Sequence, residues 1–75
     1  MRPIRWSPQQ VDRLEQAARR GLRVTVTRRG SEFVVVARRV AAHGQRDALY
    51  GVLPMTGEEL VFPLDEIEHF EVIGS

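Results

Sequence analysis

Gly21-Leu22-Arg23-Val24-Thr25-Val26-Thr27-Arg28-Arg29-Gly30 decides the fold, because the apolar period changes inside it. Before Gly21 the apolar residues Val11, Leu14, Ala17 and Ala18 recur at helical spacing and form one stripe. After it Leu22, Val24 and Val26 alternate with Arg23, Thr25 and Thr27, which reads as a strand with one buried face. Gly21 stands where a helix stops, since glycine accepts the left-handed C′ conformation without a Cβ penalty.

N-terminal to this switch, Ser7-Pro8-Gln9-Gln10 reads as a helix start. Ser7 fits the N-cap, Pro8 fits the first helical position, and Gln10 completes an S-x-x-Q capping box. Trp6 and Val11 are spaced for a hydrophobic staple around the cap. Asp12 and Glu15 lie early and Arg19 and Arg20 late, as the helix dipole favours. The helix is expected over residues 8–20.

C-terminal to it, the pattern predicts five strands, at about 22–28, 32–41, 48–54, 59–63 and 69–73. Arg29-Gly30-Ser31 is a turn signal, and His43 to Asp47 reads as a polar loop. Phe33-Val34-Val35-Val36-Ala37 does not alternate, so the second strand is expected to be covered on both faces. Pro63 cannot donate to a ladder and places the fourth strand at an edge. Leu64-Asp65-Glu66-Ile67 has room for one tight helical turn before the last strand. Strands this short need closure or cover. The expected fold is therefore mainly β: an N-terminal helix followed by a five-stranded, strongly bent antiparallel partial barrel, in one domain over residues 1–75.

The 75 residues leave room for one core and no large enclosed active site. There is no cysteine, which removes disulfides and thiolate metal sites. The longest apolar run, Phe33 to Ala37, is far short of a membrane span. Met1 to Trp6 carries charge without an apolar segment behind it, so no leader is read there and a cytoplasmic location is expected. The net charge of +1 conceals a division. All eleven bases are Arg and lie at or before Arg46, with only Asp12, Glu15 and Glu32 as acids among them. From Asp47 onward there are seven acids and no base. Arg-rich coding is one reading of the absence of Lys. Arg is also the better residue for planar, bidentate contacts to phosphate.

The order of elements, with Gly21 to Gly30 and then Glu59-Leu60-Val61-Phe62-Pro63-Leu64-Asp65-Glu66-Ile67-Glu68-His69-Phe70, resembles the Rof family of Rho-binding antiterminators. The stretch Leu60 to Val72 also resembles the end of WYL domains. Both resemblances imply an SH3-type, Sm-like small barrel with a regulatory binding role, and they carry over no site residues.

The residues themselves point away from catalysis. His43 and His69 lack partners at metal-ligand spacing, although Glu68 and Glu71 flank His69. No Ser stands in a nucleophile setting, and the glycines are scattered, so no cofactor is expected. Two surfaces remain. Arg19, Arg20, Arg23, Arg28, Arg29, Arg38 and Arg39 form the candidate nucleic-acid surface, for RNA or single strands, if the fold gathers them. Tyr50 and Trp6 are the aromatics considered for base stacking, with Trp6 better explained as a staple. Glu58, Glu59, Asp65, Glu66, Glu68 and Glu71 form a candidate surface for docking a basic or nucleic-acid-binding protein. The complementary halves also suit a homo-oligomer built head to tail. The preferred function is a non-catalytic module regulating nucleic-acid transactions. The alternative is an adaptor, protein-binding or oligomer-forming, without nucleic acid.

Overall fold

The computed structural model describes residues 6–74. The helix α1 spans Pro8–Arg20 with both ends closed. The Ser7 hydroxyl accepts the Gln10 N–H at 3.2 Å, and Pro8 opens the first turn. At the other end Gly21 adopts φ +64. Its N–H donates to Ala18 O and the Leu22 N–H donates to Ala17 O, the paired bonds of a Schellman stop. Arg19 and Arg20 occupy the last turn, but the first turn carries no acid, because Asp12 and Glu15 fall beyond it. Trp6 does more than staple. Its ring stacks on Phe70 at 5.4 Å and its indole N–H donates to Leu64 O at 2.8 Å, tying the helix start to the end of the chain.

The strands are β1 (Arg23–Arg28), β2 (Ser31–His43), β3 (Arg46–Val52), β4 (Glu59–Pro63) and β5 (Ile67–Gly74), with a 3₁₀ turn at Leu64–Glu66. They form one antiparallel sheet in the order β4-β3-β2-β1-β5. Among the described residues the outer strands β4 and β5 do not pair with each other, so the bent sheet is an open partial barrel. The helix joins the same core. Leu14, Ala17 and Ala18 pack with Val24, Val26, Val35, Leu49, Phe62 and Ile67.

Three expectations need correction. The polar segment His43 to Asp47 is not a loop. β2 and β3 pair through Ala42↔Asp47 and His43↔Arg46, leaving a two-residue turn at Gly44-Gln45. Ladder bonds use the backbone, so polar side chains did not end the strands. β2 and β3 consequently run past their apolar cores at this turn, while β3 stops at Val52, two residues before the expected end. Finally, β2 is not covered on both faces. Val35 and Ala37 are buried, whereas Val34 is 42% exposed and points outward with Thr25. The alternation is real but hidden, because both faces carry β-branched residues.

Two features bend the sheet. Arg38 is an extra residue in β2, between the pairs Ala37↔Gly51 and Arg39↔Tyr50. This bulge turns the strand and resets its alternation, so Val40 returns to the core. Beside it, Gly51 leaves room for the Val35 side chain where the strands bend: a Cβ there would stand 2.7 Å from Val35 Cγ2.

Candidate nucleic-acid interface

The fold sorts the Arg residues into separate groups. Arg28 and Arg29 sit at the tip of the β1–β2 hairpin and reach toward Glu66 in the 3₁₀ turn, at 4.0 and 3.7 Å. Arg28 also donates to Val61 O at 3.3 Å and lies over the rings of Phe33 and Phe62. From the β2–β3 hairpin tip, Arg46 binds Asp65 and Glu66, each at 3.1 Å. The hydrogen bond to Glu66, then the charge of Asp65, hold the Arg46 guanidinium above its ordinary pKa. These three cations face the chain's own carboxylates, closely at Arg46 and loosely at Arg28 and Arg29.

The second group is different. Arg19 on the last turn of α1, Arg38 in the bulge and Arg39 beside it line one shallow hollow of about 190 Å³, with Glu15, Ala18 and Val40. Among the described residues none of the three makes an ion pair within 4.0 Å. The bulge is the physical cause. In an unbroken strand, successive side chains point to opposite faces. Here Arg38 and Arg39 are both exposed, and both line the hollow that Arg19 also lines. Arg20 follows Arg19 but lines another hollow, between α1 and β5. Arg23 opens β1 opposite Val36, two residues before the bulge.

Tyr50 lies opposite Arg39 on the outer face of β3 and is only 8% exposed. The Arg39 guanidinium covers its ring at 4.3 Å, and its hydroxyl meets His43 Nδ1 at 3.2 Å. Tyr50 therefore orients Arg39 and offers no open ring for a base. Trp6 is occupied by Phe70 and Leu64. The site is one of charge, without a stacking platform.

The acids are dispersed. Asp65 and Glu66 hold the Arg cluster just described. Glu68 accepts the Gly30 N–H at 3.2 Å and fastens the first hairpin. Glu58 and Glu59 are exposed at the start of the edge strand β4. Glu71 is exposed opposite Thr25 on the outer face. His69 shares that face, while Glu68 is drawn to the hairpin, so the three do not converge. Among the described residues no group of three His, Asp or Glu stands close enough to hold a metal ion.

Sequence reasoning overlooked Arg46 and Glu15. Arg46 is the last base before the acidic stretch, but only the bent β2–β3 hairpin brings it to the 3₁₀ turn. Glu15 lies one helical turn before Arg19, and that spacing was the available signal. Comparison with protein-family models, curated proteins and solved structures yields no match.

Proposed function

We propose that this protein is a non-catalytic binding module that engages a nucleic-acid backbone through the Arg end of the barrel, with Arg19, Arg38 and Arg39 as its centre and Arg20 and Arg23 at its margin. One observation carries the reading: these three Arg residues line one hollow, beside Glu15, and among the described residues make no ion pair within 4.0 Å, while Arg28, Arg29 and Arg46 each lie within 4.0 Å of Glu66. Uncompensated Arg side chains on a rigid strand and helix suit phosphate, since each can donate in a fork. A single strand fits better than a duplex, because the hollow is small, about 190 Å³. Regulation of RNA or transcription-factor transactions, on the pattern of the Rof resemblance, is the biological setting this chemistry suits. The location in which it acts is proposed to be the cytoplasm. Among the described residues no helix is long and apolar enough to cross a membrane.

The test is fluorescence anisotropy with labelled single-stranded RNA and DNA over a range of salt. Three phosphate contacts give a slope of log K against log salt of about −2, or roughly a 20-fold loss of affinity from 50 to 200 mM. Arg38→Glu with Arg39→Glu should abolish binding. Glu58→Gln with Glu59→Gln should leave it intact or slightly stronger. Absence of binding at low salt would refute the proposal and favour the adaptor reading, for which the exposed Glu58, Glu59 and Glu71 remain available.

A further inference from the structure

A cluster of basic and aromatic side chains lies on the outer face of the β2–β3 hairpin. Arg39, Ala41 and His43 alternate onto that face of β2, opposite Tyr50, Ala48 and Arg46 of β3. The buried Tyr50 ring stands between two exposed basic residues. The Arg39 guanidinium lies 4.3 Å from its centroid, and the His43 ring is nearly perpendicular to it, with centroids 6.1 Å apart.

The Tyr50 hydroxyl sets which way His43 faces. It lies 3.2 Å from His43 Nδ1 and 3.4 Å from Ala42 O. A phenol has one proton to give and lone pairs with which to accept. When it donates to Ala42 O, its oxygen can accept the Nδ1–H of an imidazolium. When Nδ1 is unprotonated, the hydroxyl turns and donates to that nitrogen. One bond rotation therefore serves either protonation state, and in both Nδ1 is turned toward Tyr50. Nε2, on the far side of the imidazole, has no hydrogen-bond partner among the described residues. In the imidazolium it is a charged N–H donor, and imidazole is the side chain whose charge changes between about pH 5 and 8.

The charged groups around the pair leave it cationic. Arg46 faces His43 across the hairpin, but its guanidinium is drawn to Asp65 and Glu66. Asp47 stands opposite Ala42 and so belongs to the other face. From β4, Val61 and Pro63 stand opposite Tyr50 and Ala48, and Glu59 opposite Val52. On α1, Glu15 and Arg19 line the hollow with Arg39. Among the described residues neither Arg39 nor His43 makes an ion pair within 4.0 Å. An anion seated between them would meet a guanidinium on one side and an imidazolium on the other, each a charge-assisted donor.

We propose that Arg39 and His43, on either side of Tyr50, form a further phosphate position beside the Arg19–Arg38–Arg39 hollow, filled when His43 carries its second proton. The proposal rests on the nucleic-acid reading for its ligand, and it makes binding of a single strand tighter in mild acid. Tyr50 is a positioning residue, since it orients both basic groups and leaves the anion to them.

The experiment has two arms. In the first, salt titrations of single-stranded RNA binding are run at pH 5.5 and pH 7.5. For the unaltered protein the slope of log K against log salt should steepen by about 0.7 at the lower pH, the value for one added phosphate contact of a single strand. His43→Gln should lose that increment, and because it keeps every other titrating group, the difference between the two proteins isolates this one. Tyr50→Phe, which keeps the ring and removes the hydroxyl, should reduce the increment. His69→Gln, at the other histidine, should retain it in full, and thermal melts check that each variant folds. In the second arm inorganic sulfate, whose charge is constant over this range, is titrated into the free protein and followed by NMR. It should shift the His43 imidazole and the Arg39 Nε–H together at pH 5.5 and spare His43 at pH 7.5. An equal increment in His43→Gln, or sulfate shifts at Arg39 that bypass His43 at pH 5.5, would overturn the proposal. Sulfate shifts at His43 in a protein that binds no RNA would uphold the anion position and refute the nucleic-acid reading instead.

Discussion

Arg29 is the one non-glycine residue among those described with a positive φ, at +53. It and Gly30, at φ +77, form the two-residue turn between the paired Arg28 and Ser31. Both turn positions being left-handed is the type I′ arrangement, for which Asn-Gly is the favoured sequence. Arg29 therefore holds a conformation that costs an ordinary L-residue roughly 1 kcal/mol. Its side chain recovers little, because it is 79% exposed and only 3.7 Å from a Glu66 oxygen. Arg29→Asn should raise the melting temperature by a few degrees, and a fall would show that the Glu66 contact outweighs the backbone strain. Gly51 presents the opposite case. Adding a Cβ 2.7 Å from Val35 Cγ2 overpacks a closed contact, so Gly51→Ala should cost about 1–3 kcal/mol. In a domain of this size each kcal/mol moves the melting temperature by roughly 4–8 °C. Ser7→Ala, which deprives the Gln10 N–H of its acceptor, should cost about 0.5–2 kcal/mol in the same assay, and an unchanged melt would deny the cap any role.

At the level of elements, the helix was legible almost to the residue, because its limits are set by local chemistry: a serine cap, a proline and a left-handed glycine. The strands were legible in number and order but less so in length, because pairing at Ala42↔Asp47 and His43↔Arg46 depends on the partner strand. The bulge at Arg38 left no signal in an apolar run that already lacked alternation. The 3₁₀ turn was expected as a connector, yet it works as a clasp. Glu66 meets Arg28, Arg29 and Arg46, so two hairpin tips are held against one turn. While its carboxylate partners are ionised, the raised pKa of Arg46 means that its contribution is lost on the alkaline side only as pH rises through the guanidinium's own titration. Salt is therefore the practical lever. Exposed pairs contribute about 0.2–1 kcal/mol each, so Glu66→Gln should destabilise the fold by roughly 1 kcal/mol at low salt. The difference from the wild type should shrink toward 1 M salt, where the screening length falls to about 3 Å. A difference independent of salt would assign Glu66 a packing role instead.

For the whole molecule, the sequence divides into a basic part and an acidic part, and folding does not keep that division. The acids Asp65 and Glu66 return to the bases of both hairpin tips, while Arg38 and Arg39, within β2, and Arg19, on the last turn of α1, are left around a separate hollow. Seven Arg residues thus looked equivalent in one dimension and differ in three, because strand register and one extra residue decide which of them meets a carboxylate. This partition makes a prediction that net charge alone does not. Arg19→Gln and Arg29→Asn each remove one positive charge. If attraction were diffuse, both would lower the affinity for single-stranded RNA equally and leave the salt dependence almost unchanged. If phosphate sits in the Arg19–Arg38–Arg39 hollow, Arg19→Gln removes a contact and should reduce the slope of log K against log salt by about 0.7, the value for one phosphate of a single strand. Arg29→Asn should leave that slope where it is while making the protein more stable. Salt titrations of the two variants beside the wild type provide the comparison, and equal slopes for Arg19→Gln and the wild type would remove the hollow from the interface.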